Sequence, residues 1–259
     1  MVVNGFFPAV WILLTSLKTE TELVSKPITY LPHNPVLSNY VQAFTDQPLL
    51  RYLGNSMVVA VAATVVSLFV ASLAAYAIAR LNLKRRQLIL TCIVASSMFP
   101  LVTLLVPIFE TMRAFGLLNT YTALVLPYTV LNLPVCTLVL VSFFQSIPKG
   151  LENAVMIVGC VGLGFFWRVV VPLAAPGVFT AGILAFVNAW DEFLLALSLN
   201  SSASMRTLPV GISLYQGEFT FPWPIISAAL IVAIVPIAVL IAAFQERVVG
   251  GLTQGGLKG

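Results

Sequence analysis

Few side chains in this sequence of 259 residues are of the types that carry out chemistry. Two adjacent carboxylates lie next to a long apolar run, Asp191 and Glu192, directly after Trp190 and soon after Asn188. A carboxylate in such a position can exchange a proton or accept a hydrogen bond, and the amide and indole groups add donors. These four residues are the first candidates for a functional site.

Other kinds of site are not predicted. His33 is the sole histidine, and it has no carboxylate or cysteine at the spacing of a metal site. The cysteines Cys92, Cys136 and Cys160 lie far apart, two of them in apolar runs, as is typical of small buried apolar side chains. Neither a nucleophile–base pair nor a phosphate-binding P-loop occurs. We therefore expect no metal site, no catalytic site and no cofactor on this chain, and no binding of nucleic acid.

The composition indicates what must position the candidate residues. Hydrophobic residues make up 59% of the sequence and charged residues only 8%, with a mean hydropathy of +1.01. A soluble domain carries about a quarter charged residues. Because so few charges cannot cover a surface that faces water, the surface must face lipid. The apolar runs are continuous rather than alternating, so they favour α-helices over a β-barrel. The sequence predicts an all-α, multi-pass protein of a cell membrane.

Six apolar runs are long enough to be candidate membrane spans, which need roughly 20 residues each. They cover residues 2–17, 56–80, 88–112, 121–145, 169–197 and 222–245. We expect one transmembrane domain over residues 1–259. The first run is the shortest and starts at the first methionine. We expect a span shortened by a mis-assigned start rather than a signal peptide, since no basic segment precedes it.

The charges between the runs predict an orientation. Basic residues exceed acidic ones on the side that carries both termini, with the cluster Lys84, Arg85 and Arg86 as its strongest marker, and acidic residues exceed basic ones on the other side. Short cytoplasmic loops are enriched in lysine and arginine. Both termini are therefore predicted to be cytoplasmic. Asp191 and Glu192 then lie near the external end of the fifth run, where a gate or structural polar contact, solvation at the interface and a proton relay all remain open.

The cytoplasmic connection between the fourth and fifth runs, residues 146–168, is unusually long. Pro148 can start a short apolar helix that carries Glu152 in its first turn, and Gly159 is the first of the glycines that end it. Such a helix is expected to bury itself against another protein, and the alternative is a helix lying in the lipid headgroup plane.

This loop resembles the cytoplasmic motif of carbohydrate ABC importer permeases, most of all the second permease of maltose- and glycerol-phosphate-type systems. That motif reads Glu-Ala-Ala, three residues, Gly, nine residues and Ile-x-Leu-Pro. The sequence has Asn153-Ala154-Val155, Gly159 and Val169-Val170-Val171-Pro172 at the same spacing. Four further stretches are similar: LGNS at 53–56, AAYAIARL at 74–81, FVNAWDEFLLALS at 186–198 and GLTQGGLKG at 251–259.

The resemblance implies a type I ABC importer permease fold and a set of partners. These are a second homologous permease, two ATPase subunits that bind ATP and magnesium, and an extracytoplasmic substrate-binding protein that meets the external loop 198–221. It also implies that the loop 151–172 docks on the ATPase, through Glu152, Asn153, Ala154, Gly159 and Pro172. The tail residues Gly255, Gly256, Leu257 and Lys258 would reach the ATPase as well, with a frayed terminus as the alternative.

The sequence departs from the family motif at four positions. Asn153 stands where glutamate is usual, Val155 and Cys160 where alanine is usual, and Val158 where an acid is usual. Loss of two acids would remove charge-assisted contacts to the ATPase, so coupling of altered strength is expected.

The sequence leaves two other classes of function as alternatives. A proton-coupled secondary transporter would use Asp191 and Glu192, but such folds often contain internal repeats, and none is convincing here. A membrane enzyme would need a set of catalytic residues, and the sequence contains none that we recognise.

Overall fold

The computed structural model of the chain describes the backbone of residues 2–81, 83–148, 163–217 and 220–256, and the side chains of these ranges except 2–5, 163 and 245–256. The described residues form helices and no β-strand. The first seven helices are α1 (Val2–Ser16), α2 (Glu20–Leu23), α3 (Ser38–Asp46), α4 (Leu49–Arg80), α5 (Arg86–Ser97), α6 (Leu101–Ala114) and α7 (Tyr121–Ser146). After them come α8 (Leu163–Phe165), a π-helical turn (Phe166–Val170), α9 (Val171–Leu173), α10 (Ala175–Asp191), α11 (Leu194–Leu199), α12 (Leu208–Ser213) and α13 (Trp223–Gly256).

Three helices are long and apolar enough to cross a membrane without a break. They are α4, α7 and the Trp223–Phe244 part of α13. Each exceeds the roughly 20 residues that a hydrocarbon core requires. Within them, Pro127, Pro134 and Pro236 lie inside continuous helices, as membrane bundles tolerate.

Two further runs form pairs of helices with a sharp bend. The axes of α5 and α6 meet at 88°, with Pro100 at the break, and the segment Phe166–Leu173 meets α10 at 76°, at Ala174. Proline lacks the amide hydrogen that continues a helix and disfavours helical geometry in the residue before it. If each pair is one span, the described residues contain five, and the shorter apolar part of α1, Phe6–Ser16, lies in addition to them.

All six predicted runs therefore lie mainly on helices, but several of their boundaries differ from the prediction, and α13 continues to Gly256 rather than ending at residue 245. Helix α4 begins at Leu49, not at residue 56, because Leu49 and Tyr52 are buried and hold the first turn of the helix in the packed interior. The fifth run does not form one helix to residue 197, since α10 ends at Asp191 and α11 starts at Leu194.

The backbone packs as two compact units, one of residues 1–57 and 193–239 and the other of residues 58–192 and 240–259. The single domain over residues 1–259 stays a prediction. In the second unit, small residues of α4 and α10 pack around α7, and these are Ala71, Ala75, Ala181 and Ala185. Small side chains let helices approach closely. Cys136 is buried in this core as predicted, whereas Cys92 is exposed because α5 buries none of its residues.

Candidate functional site

Polar side chains of α7 and α10 meet along a line that we call the polar seam, formed by Tyr128, Asn132, Asn188 and Glu192. Asn132 is buried, and its Nδ2 donates to the carbonyl of Ala185 at 3.3 Å. Asn188 in turn donates from Nδ2 to Oδ1 of Asn132 at 3.3 Å. Unpaired amides are costly in an apolar interior, so these bonds fix the facing surfaces of the two helices.

At one end of the polar seam, the hydroxyl of Tyr128 donates to Oε2 of Glu192 at 2.5 Å. The ring of Trp190 is buried and stacks on Phe186, with centroids 5.5 Å apart. Asp191 is exposed at the end of α10 and has no hydrogen bond or ion pair to any described residue.

The structure thus separates the four residues that the sequence singled out. Asn188 and Glu192 face α7, Trp190 lies in the core and Asp191 stands apart. For Glu192, the hydrogen bond from Tyr128 is of the kind that one alternative left open by the sequence describes, a gate or structural polar contact. The assignment of the four residues to a substrate pathway or gate stays a prediction.

A second cluster surrounds the two ends of the loop 146–168. The Nη2 of Arg80, the last residue of α4, donates to the carbonyl of Ile147 at 2.8 Å. Phe166 is fully buried at the start of the π-helical turn, and its ring lies 5.0 Å from that of Tyr76 and 6.2 Å from that of Phe144. Both ends of the loop are therefore attached to the packed helices.

The predicted ATPase-coupling residues lie mostly beyond this cluster. Glu152, Asn153, Ala154 and Gly159 fall outside the described residues, as do Leu257 and Lys258 of the tail. Pro172 is exposed in α9, two residues before the bend at Ala174. The tail residues Gly255 and Gly256 are the last two of α13. These assignments stay predictions.

A third cluster lies in the first unit and ties the loop before α12 to the start of α4. Asn55 donates from Nδ2 to the carbonyls of Ser204 and Arg206, at 2.9 and 2.8 Å, and the hydroxyl of Ser56 accepts from the amide of Leu208 at 2.8 Å. Both side chains are buried. The main chain of the loop is therefore hydrogen-bonded to the side chains of Asn55 and Ser56 in α4.

Aromatic side chains complete the third cluster. Tyr52 lies against Gly211, where any Cβ would meet the ring. The hydroxyl of Tyr215 donates to the carbonyl of Ala43. Burial, together with the nearby Asp46 and Tyr52, raises the pKa of Tyr215 to about 12, so the hydroxyl keeps its donor proton to a more alkaline pH than an ordinary tyrosine.

Sequence reasoning missed the second and third clusters, although the signal was present. The stretch AAYAIARL contains Tyr76 and Arg80, and LGNS contains Asn55 and Ser56. The similarity of both stretches to the family does not by itself assign a physical role to these side chains. Their partners lie 67 to 152 positions away in the sequence, and no local pattern encodes such pairs.

The described residues contain no group of three or more histidine, cysteine, aspartate or glutamate side chains that could hold a metal ion. The hydrogen bonds of the three clusters join parts of the chain to each other. What they can do chemically is position helices and loops.

Comparison with known proteins identifies the kind of molecule to which this geometry belongs. Residues 67–254 match the family described as the binding-protein-dependent transport system inner membrane component. The chain belongs to this family. It is therefore a multi-pass component of the inner membrane, in agreement with its apolar helices.

Two relatives of known name match this chain over its full length. It is 70% identical over 259 residues to the sulfoquinovosyl glycerol transport system permease protein SmoH of Agrobacterium fabrum, covering 100% of this chain and 91% of that protein. It is 35% identical to the trehalose/maltose transport system permease protein MalG of Thermococcus litoralis, covering 100% of this chain and 94% of that protein.

A solved structure has the same fold. A chain of a bacterial ABC transporter involved in the import of the acidic polysaccharide alginate matches with a TM-score of 0.81 at 19% identity, covering 95% of this chain and 91% of that chain. The expected all-α fold of a type I importer permease is thus confirmed. None of these matches supports the alternative of a proton-coupled transporter built on Asp191 and Glu192.

Proposed function

We propose that the chain is the permease subunit of an ATP-driven sugar importer whose substrate is sulfoquinovosyl glycerol. One observation carries the substrate: the 70% identity to a sulfoquinovosyl glycerol permease extends over all 259 residues. The permeases for trehalose and maltose are about half as identical at similar coverage. At 70% identity most contacts of the polar seam and of the loops are expected to be shared, and so is the pathway they support.

Import requires partners that this chain does not supply. We infer a second permease subunit that completes the pathway, two ATPase subunits that bind ATP and magnesium, and a substrate-binding protein on the other side of the membrane. The family description, with its dependence on a binding protein, supports this assembly. This chain then serves as a non-catalytic membrane subunit.

The orientation follows from the distribution of charge. With both termini in the cytoplasm, Lys84, Arg85 and Arg86 lie on the cytoplasmic side, as the positive-inside rule favours. The loop 151–172 then faces the ATPase, with Glu152, Asn153, Ala154, Gly159 and Pro172 as its coupling residues. The loop 198–221 faces the substrate-binding protein.

Uptake by whole cells tests the substrate. A strain that lacks the gene for this chain is complemented with the wild-type gene, and uptake of labelled sulfoquinovosyl glycerol and labelled trehalose is followed in parallel. Restored uptake of sulfoquinovosyl glycerol alone supports the proposal. Restored uptake of trehalose alone, or of neither sugar despite insertion of the protein in the membrane, would contradict it.

A further inference from the structure

The cytoplasmic half of α4 carries three side chains that contact the two ends of the loop 146–168. Phe69, Tyr76 and Arg80 are separated by seven and four residues, about two turns and one turn of a helix, so they share one face of α4. We call this face the anchor strip. It belongs to α4, which precedes the loop by more than sixty residues and is not connected to it by a short turn.

The contact at the entrance of the loop is a charge-assisted hydrogen bond. The guanidinium of Arg80 donates to the carbonyl of Ile147, directly after α7 ends at Ser146. A helix leaves its last carbonyls without partners inside the helix, and a cation near that end is also favoured by the helix dipole. Arg80 therefore holds the point at which the chain leaves α7.

The contacts at the exit of the loop are aromatic. Phe166 is fully buried between Tyr76 and Phe144, and Trp167 stacks on Phe69 with centroids 5.8 Å apart and planes 18° apart. Edge and offset stacking of aromatic rings adds stability beyond the area that is buried. These rings fix the point at which the chain enters the next span.

The exit contacts fall on backbone of unusual geometry. Phe166 begins a π-helical turn that ends at Val170, and a 76° bend follows at Ala174. Short π-helical segments recur at functional sites in helices. The buried ring of Phe166 holds the first residue of this turn in place. A displacement of the loop would therefore move the turn and the helix after it together.

We propose that Tyr76 and Arg80 are positioning residues for energy coupling: they clamp both ends of the loop 146–168 to α4, so that a displacement of the loop by the ATPase moves α4 together with α7 and α10. This rests on the proposed function, because it takes the loop to be the part that meets the ATPase. Neither residue needs to contact ATP or sugar for this role. Their effect is on the number of sugars imported per ATP hydrolysed.

The test uses the complete transporter in proteoliposomes, with both permeases, the ATPase and the substrate-binding protein. Sugar uptake and ATP hydrolysis are measured together in the wild type and in Arg80→Gln, Arg80→Lys and Tyr76→Leu. The matched control is Arg85→Gln, which removes a cytoplasmic arginine whose side chain is exposed and makes no hydrogen bond to any described residue.

We expect Arg80→Gln and Tyr76→Leu to lower uptake per ATP hydrolysed by roughly tenfold, the effect of losing one charge-assisted bond or one buried aromatic contact. The ATPase should still copurify at wild-type stoichiometry. Arg80→Lys keeps a charged donor and should recover part of the ratio. Arg85→Gln should match the wild type.

Two results would overturn the proposal. One is a wild-type ratio of uptake to hydrolysis in both Arg80→Gln and Tyr76→Leu. The other is a loss of uptake that is fully explained by loss of protein or of bound ATPase, since that is what a merely structural role predicts. A wild-type complex that hydrolyses ATP but imports no sugar would instead refute the proposed function, so the two failures are distinguishable.

Discussion

At the scale of single residues, the packing of Gly211 in α12 against Tyr52 makes a sharp prediction. A Cβ at position 211 would meet the ring of Tyr52, whereas a Cβ at Gly54 in α4 would have no atom within 4 Å. We expect Gly211→Ala to lower the free energy of unfolding by about 1–3 kcal/mol through overpacking. We expect Gly54→Ala to raise it by about 0.5–1 kcal/mol, since alanine favours a helix.

Thermal unfolding in detergent, followed by tryptophan fluorescence, measures both glycine variants against the wild type. The two substitutions add the same methyl group within one unit, so each serves as the control of the other. A Gly211→Ala protein at least as stable as Gly54→Ala would contradict the packing of Tyr52 described here.

Glu22 supplies a pH dependence at the same scale. Its Oε1 accepts hydrogen bonds from the backbone amide of His33 at 2.8 Å and from the hydroxyl of Thr29 at 3.3 Å. The backbone bond from His33 is the largest cause that lowers the pKa of Glu22 below its ordinary value of 4.5. A lowered pKa means that the stabilisation is complete above the ordinary pKa and is lost as the pH falls through the lower value.

We therefore expect the amide of His33 to exchange slowly with solvent at neutral pH and to lose this protection as the pH falls below about 4, near the ordinary pKa of glutamate. Hydrogen–deuterium exchange over a pH series, corrected for the intrinsic rate, measures it. Glu22→Gln keeps an acceptor oxygen but does not titrate, so its protection should not change with pH. Equal pH profiles for the two proteins would disprove the role of Glu22.

At the scale of helices, the polar seam predicts an interaction energy between α7 and α10. Asn188 donates to Asn132, which itself donates to the carbonyl of Ala185. Hydrogen bonds between membrane helices contribute about 0.6 kcal/mol on average and up to about 1.7 kcal/mol. A double-mutant cycle with Asn132→Ala and Asn188→Ala should give a coupling energy in this range.

The cycle is read from the unfolding free energies of the four proteins in mixed micelles. A parallel cycle of Asn188→Ala with Ser142→Ala provides the control, because Ser142 bonds only the carbonyl of Val139 in its own helix. A coupling of zero between Asn132 and Asn188, or an equal coupling in the control, would refute the contact.

The hydrogen bonds of Asn55 predict how accessible the loop between α11 and α12 is to protease. Its amide binds the carbonyls of Ser204 and Arg206, so Asn55→Ala should free both carbonyls and make the loop accessible to protease. Limited proteolysis after Arg206 measures this, with Ser213→Ala as control because that hydroxyl bonds only Val210 of its own helix. Equal cleavage rates in the wild type and in Asn55→Ala would rule out the clamp.

The helices were largely predictable, and their bends and contacts were not. Continuous apolar runs predict helices because lipid leaves the backbone no other hydrogen-bond partners. Hydropathy does not report the direction of a helix axis, so it could not reveal the 88° and 76° bends. The break after Asp191 falls at the two charged residues of the fifth run, but the apolar residues Phe193 and Leu194 follow them at once, so hydropathy continues the run to Leu197.

The sequence identified some of the candidate residues but not the partners that they contact. Asn188 and Glu192 were noticed because polar groups in apolar runs are costly, but the hydrogen bonds to Asn132 and Tyr128 join residues more than fifty positions apart. The sequence singles out Arg80 only as part of the family-like stretch AAYAIARL. Its bond to Ile147 depends on how α4 packs beside α7, which no spacing within the sequence encodes.

At the scale of the whole molecule, the chain is a multi-pass membrane component of a binding-protein-dependent transport system. The family membership and the apolar helices support its location in the membrane. The matches to sugar permeases support a sugar as the proposed substrate. The chain brings no P-loop and, in its described residues, no metal site. Its side chains position helices and loops, and the energy is expected to come from the ATPase.

The most direct test of this central claim is uptake of labelled sulfoquinovosyl glycerol by proteoliposomes that contain the purified four-component transporter. We expect uptake that requires both ATP and the substrate-binding protein and that persists when an uncoupler abolishes the proton gradient. This expectation would be contradicted by uptake through this chain alone, driven by a proton gradient and lost in Glu192→Gln.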